Sequence, residues 1–241
     1  MKSDLSIIDL NKSFKELKVF QNLSLQIPLN KITCILGPSG CGKTTLLNIL
    51  CGIEKADSGI LNDFSVLTFS YVFQDARLLP WKTVKENLDF VLKNKYAPSE
   101  RYGRIEKYLD MVDLQDFKDY YPNKLSGGMK QRVSIARAFA FPSDMLIMDE
   151  PFKGLDVKTK KNIIQKFLEL WNIDKRTVIF VTHDIEECLM IAEKIIVFSQ
   201  LPARVLYEDT LNITHNERDM ENEQISKIAE HINKIFFQTG Y

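Results

Sequence analysis

The chain has 241 residues, 45% hydrophobic and 27% charged, with 32 basic and 32 acidic side chains that cancel to a formal net charge of +0. That length suits one α/β domain with an inserted subdomain, and the composition is that of a soluble globular protein. Balanced charge excludes long-range attraction to nucleic acid, no apolar run approaches the ~18 residues of a membrane span, and residues 1–10 lack the basic head and apolar core of a secretion signal.

In chain order, apolar runs at residues 5–10 and 23–27 have no helix between them, which predicts an antiparallel sheet at the start. A run at 32–36 leads into a helical stretch at 43–50, and another strand-like run follows at 69–73. Residues 76–142 read as helical, with stretches at 84–92, 101–112 and 128–139. Strands at 145–148, 178–181 and 195–198 then alternate with helices at 157–170 and 185–191. Continuous Ile/Val/Leu runs suit strands buried on both faces, and the alternation predicts a mainly parallel sheet. The expected fold class is α/β, with a nucleotide-binding core from 1–75 and 143–210, a helical subdomain at 76–142 and a helical tail at 211–241. In that tail Ile225, Ile228, Ile232 and Ile235 fall at near-helical spacing and are expected to pack on the domain's own surface. Cys34, Cys41, Cys51 and Cys188 form no CxxC pair, so neither a zinc site nor a disulfide framework is expected, and the surroundings are expected to be reducing.

Gly37, Pro38, Ser39, Gly40, Cys41, Gly42, Lys43 and Thr44 match GxxxxGK[ST] in full, between a strand-like and a helix-like run. Glycines let backbone N–H groups converge on phosphate oxygens, and the following helix presents its positive end to the same charge. Lys43 then neutralises the β/γ-phosphates and the Thr44 hydroxyl ligates Mg²⁺, while Thr45 follows in the helix. Asp149 closes the apolar run 145–148, the position of a Walker B carboxylate that holds Mg²⁺. Glu150, next in sequence, is the candidate to orient or deprotonate the attacking water.

Leu125-Ser126-Gly127-Gly128-Met129-Lys130-Gln131 resembles the signature motif of ABC-type ATPases. Its Ser126, Gly127 and Gly128 open a helix, which makes a second anion-binding device in one chain. Further pieces are similar to the family in order. Gln74 resembles the Q-loop residue that senses Mg²⁺ and the γ-phosphate, Asp156 the D-loop aspartate that borders the nucleotide, and His183 the switch histidine. Phe14 sits where the family stacks an aromatic on adenine, and core packing is its other reading.

The resemblance covers about residues 5–207 and implies a RecA-like core, ATP and Mg²⁺ as cofactors, and a head-to-tail dimer. In that dimer each phosphate loop faces the Ser126 loop of the other chain. Glu150, His183 and Gln74 are then catalytic, and Thr44, Gln74 and Asp149 the metal ligands. Lys153 and Gly154 depart from the small residues usual before Leu-Asp; Lys153 either pairs with a phosphate or carboxylate across the dimer contact or points to water, the second being the expectation.

Leu78-Leu79-Pro80-Trp81 resembles importers for nitrate, sulfonates, taurine and thiamine-pyrimidine precursors, as do Tyr121-Pro122 and Phe152. This branch implies integral-membrane permease subunits, an indirect solute-binding protein, no nucleic-acid partner, and a place on the cytoplasmic face of the membrane. Trp81 is either exposed to receive a permease helix or buried in the subdomain core. The alternatives are another importer or exporter branch, or a non-transport ABC ATPase acting on nucleic acid or ribosomes.

Overall fold

The structure, a computed structural model, describes residues 4–238. It divides into two units, one formed by residues up to Leu67 and from Arg176 onward, the other by Thr68–Lys175. The first unit opens with β1 (Leu5–Phe14), β2 (Leu17–Ile27), β3 (Ile32–Leu36), α1 (Lys43–Leu50) and β4 (Ser58–Asn62). The second contains β5 (Phe69–Val72), α2 (Val84–Leu92), α3 (Pro98–Met111), α4 (Gly127–Ala140), β6 (Met145–Asp149) and α5 (Val157–Ile173). The chain then returns to the first unit with β7 (Thr177–Thr182), α6 (Ile185–Ile191), β8 (Lys194–Phe198), β9 (Val205–Thr210) and α7 (Glu223–Gln238).

In the first unit β3 runs parallel to β7 on one side and β8 on the other, with Leu36 opposite Thr182 and Ile35 opposite Ile196. Every residue of β3 and β7 is buried, which is why these runs read as unbroken apolar stretches. β9 closes the edge antiparallel to β8. A separate antiparallel sheet places β1 between β2 and β4, as expected for the early runs.

Two of these strands carry no apolar run and escape a sequence reading. β4 is an edge strand with no buried residue, and β9 carries Glu208 and Asp209 along an edge. β1 and β2 also extend beyond their apolar cores, joined by a turn in which Lys15 takes φ 54.

In the second unit β5 and β6 pair in parallel, Val72 opposite Met148. Thr83 opens α2 with a reciprocal cap. Its Oγ1 accepts from Glu86 N, and Glu86 Oε2 accepts from Thr83 N at 2.7 Å. Arg104 Nη2 donates to Ala140 O at 3.1 Å, fixing α3 on the last turn of α4. No helix of the described residues is long and apolar enough to cross a membrane.

The tail packs on its own unit, α7 against α6. The stripe differs from the four isoleucines of the sequence reading. Ile225, Ala229, Ile232 and Phe236 are buried, whereas Ile228 and Ile235 are half-buried at the margin. The helical period of 3.6 selects positions four, three and four residues apart, and an alanine serves where α7 lies close. Ahead of α7, Arg218 donates to Ala192 O and Ile213 O, and His215 Nε2 lies 2.9 Å from Ile191 O, so this segment binds the last carbonyls of α6. Ile232→Ala is expected to destabilise the chain by about 2–5 kcal/mol, as for other buried aliphatic truncations. Ile228→Ala should lose clearly less, and equal losses in urea unfolding would contradict the packing.

Candidate functional site

The phosphate loop leaves β3 beside β7, where Gly37 N donates to Thr182 O at 3.3 Å. Within it Cys41 N donates to Pro38 O at 3.3 Å, a tight turn. Gly42 caps α1 at φ 101, where an added Cβ would meet Val19 Cγ1 at 2.6 Å, so glycine is required both by conformation and by space. The cap supplies no side-chain hydrogen bond to the helix. The first-turn N–H groups of a helix have no intrahelical acceptor, so this helix start is built for an anion.

Lys43 is only 5% exposed, and its Nζ donates to Gly37 O at 2.6 Å and Pro38 O at 2.8 Å. Two carbonyls occupy two of the three ammonium donors but bring no negative charge. A buried cation is unfavourable without an anion, and a phosphate entering the loop supplies one. Ser39, Gly40 and Thr44 are exposed on the loop, Pro38 and Cys41 are buried beneath it, and Thr45 is half-buried.

Phe14, at the end of β1, is 44% exposed, which removes the core-packing reading. Lys12 lies with Nζ 4.7 Å from the ring centroid. It is held there by Glu54 Oε1 at 2.7 Å and Lys55 O at 2.8 Å. The hydrogen bond with Glu54 raises the Lys12 pKa and lowers that of Glu54. His183 follows Thr182, the residue paired with Leu36, so strand register sets it beside the start of the phosphate loop. Its turn is rigid, since Thr182 Oγ1 donates to Glu187 Oε2 at 2.7 Å and accepts from Asp184 N at 3.1 Å. Asp184 then caps α6 by accepting from Glu187 N.

In the second unit the β5–β6 register brings the carboxylates and the Q-loop glutamine to the same strand ends. Val72 pairs with Met148, so Phe73 and Gln74 leave β5 level with Asp149 and Glu150. Tyr71 OH lies 3.4 Å from Asp149 Oδ2, and the Tyr71 and Phe73 rings stack at 4.1 Å. Gln74 is exposed just beyond them. Glu150 takes φ 43, a left-handed backbone rare outside glycine. Lys153 does not simply point to water, as the sequence suggested, because its Nζ lies 2.6 Å from Glu150 Oε2. A turn with Lys153 N donating to Glu150 O at 3.2 Å brings the two together.

Ser126 caps α4, its Oγ accepting from Met129 N at 3.2 Å, and Gly127 faces open space. Gly128 differs from its neighbours. It is buried, and an added Cβ would meet Thr159 Cγ2 at 2.5 Å, so it lets α4 and α5 approach closely. Asp156 caps α5 by accepting from Thr159 N at 3.0 Å, and hydrogen bonding from the Thr159 side chain and then its backbone holds the carboxyl below the usual range.

Asn87 and Lys12 went unread in the sequence, and Gln131 was read only as part of the signature motif. Asn87 is fully buried in α2 and bonds Leu79 N and O, Lys82 O and Thr83 O, which fixes the segment carrying Trp81. Gln131 Nε2 reaches Phe73 O at 3.4 Å, linking the signature helix to the Gln74 segment. Lys12 supports Phe14. The one legible signal was an asparagine inside the apolar stripe of α2.

Comparison with known proteins places the whole chain. Residues 20–153 match the ABC transporter family. The chain belongs to that family. It is 36% identical over 229 residues to the nitrate import ATP-binding protein of Synechocystis sp., covering 90% of this chain and 86% of that one. It is 34% identical over 235 residues to the aliphatic sulfonates import ATP-binding protein of Bacillus thuringiensis subsp. konkukian, covering 92% of each. Among solved structures it is similar to a dimeric ATP-binding cassette in a post-hydrolysis state bound to ADP and Pi. That likeness has a TM-score of 0.74 and 32% identity, covering 87% of this chain and 100% of that one.

The chain is thus an ABC-type ATPase of α/β P-loop fold. Lys43→Ala is expected to abolish binding of a fluorescent ATP analogue. Phe14→Ala should weaken it about 5- to 150-fold, the equivalent of one base–aromatic stack at ~1–3 kcal/mol. Native affinity in either variant would contradict the corresponding assignment.

Proposed function

We propose that two copies of this chain, arranged head to tail, hydrolyse ATP to drive import of a small oxoanion-bearing solute through a membrane permease. The observation that carries the dimer is the presence of two separate anion devices in one chain. One is the uncapped start of α1 with Lys43, and the other is the outward-facing Ser126-Gly127 start of α4. In the dimer the α4 start of one chain closes over the triphosphate held by the loop of the other. ATP is then part of the interface, and binding and closure are thermodynamically linked.

The site residues have the following roles in this reading. Phe14 stacks on adenine, residues 37–45 wrap the phosphates, and Lys43 swings from its two carbonyls to the β/γ-phosphates. Thr44, Gln74 and Asp149 offer a hydroxyl, an amide oxygen and a carboxylate, a hard-oxygen set that fits Mg²⁺. Mg²⁺ held there would neutralise charge on the transferring phosphoryl group. Glu150 orients and deprotonates the attacking water, and His183 hydrogen-bonds the γ-phosphate end of the nucleotide. Asp156 and Gly128 act through α5 and its packing against α4. Residues 76–142 form the subdomain that carries the signature motif.

The nitrate and sulfonate relatives support this solute class. The permease is proposed to dock on the second unit, where Trp81 is 70% exposed on the segment anchored by Asn87. Tyr120, 48% exposed, lies close by, its carbonyl accepting from Val84 N at 2.9 Å. A protruding aromatic on a rigid loop suits a hot spot for a partner helix. The chain then sits on the cytoplasmic face of the membrane, and a solute-binding protein delivers the solute to the permease.

Ser126→Arg is expected to leave ATP affinity of the single chain unchanged and to lower turnover by ~10²-fold or more, the range for losing a transition-state donor. Wild-type hydrolysis in that variant would remove the composite site. Affinity capture from detergent-solubilised membranes should recover a multi-span permease in stoichiometric amount. Recovery of nucleic-acid-bound or soluble partners alone overturns the transport reading.

A further inference from the structure

We propose that Lys153 is a positioning residue for ATP hydrolysis, its ammonium anchoring one oxygen of Glu150 so that the other faces the attacking water. The inference rests on the reading of Glu150 as general base. Lys153 Nζ lies 2.6 Å from Glu150 Oε2. The Glu150 side chain is 11% exposed and that of Lys153 42% exposed, so the cation reaches in from the surface to a nearly buried carboxylate. The backbone is built to bring them together. Glu150 at φ 43 begins a turn that Lys153 N closes onto Glu150 O, and Gly154 leaves it at φ 76.

The last torsion of a glutamate is soft and roughly two-fold. A cation held against one oxygen narrows the orientations that the carboxylate samples. With Oε2 held by this close ion pair, the directions open to Oε1 are narrowed before the nucleotide arrives. Correct orientation of a base toward its reactant is a rate term in its own right. The hydrogen bond to Glu150 also raises the Lys153 pKa, so the anchor stays charged. Since the cation is supplied by the same turn as the base, the arrangement belongs to each chain alone and exists without nucleotide. No bond is made or broken by Lys153, and the proton taken from water resides on Glu150.

The test uses the full chain with four variants, Lys153→Met, Lys153→Arg, Glu150→Gln and the double variant Glu150→Gln with Lys153→Met. Lys153→Met is expected to lower kcat about tenfold, part of the 10²–10⁴ a positioned general base supplies. The KM for ATP should stay unchanged, and Lys153→Arg should restore most of the rate. In the nucleotide-free protein, the shift in thermal midpoint caused by Lys153→Met should disappear in the Glu150→Gln background. An unchanged kcat in Lys153→Met overturns the proposal, as does equal loss in Lys153→Met and Lys153→Arg. A midpoint shift that persists without the Glu150 charge also overturns it. Failure of the underlying reading is separately visible, because Glu150→Gln alone would then retain turnover.

Discussion

A triphosphate is a dense polyanion, and the chain must surround it with positive charge and N–H donors without relying on water. The centre of the first unit serves that demand. Buried β3 delivers the loop, Gly42 turns it, α1 opens without a side-chain cap, and Lys43 waits among carbonyls that cannot neutralise it. The same demand explains why His183 stands one residue past a strand paired with β3. In the proposed role, a group that reads the γ-phosphate has to be registered to the loop that wraps the phosphates, and the β3–β7 register supplies that.

The second unit repeats the logic with different parts. Parallel pairing of β5 with β6 brings Gln74 level with the acidic pair, and Gln131 ties the signature helix to the same segment. Arg137 on the same helix also donates to Ala76 O and Arg77 O, so α4 holds the backbone on both sides of Gln74. Asn87 does the equivalent for Trp81, so the exposed aromatic is carried on a fixed support.

Much of this was legible in the residues because the chemistry is local. The phosphate loop is one contiguous motif with its strand and helix on either side, and buried strands declare themselves as apolar runs. β4 and β9 were not legible, since edge strands are held by backbone pairing and need no apolar pattern. The α7 stripe was half right because periodicity finds a helix but not which side chains lie closest, and Ala229 and Phe236 took places assigned to isoleucines. The Lys153–Glu150 pair depends on a left-handed residue in a turn, which no spacing rule reveals. Gly128 reads as part of an anion site, yet its lack of a side chain is demanded by Thr159 on α5.

The most direct measurement is the mass of the Glu150→Gln variant by sedimentation velocity, with and without ATP and Mg²⁺. A nucleotide shared between two chains predicts a monomer without ATP and a dimer retaining two nucleotides with it, reverting to monomer when Ser126→Arg is added. A saturated ATP complex that stays monomeric at high concentration would contradict a site assembled from two chains.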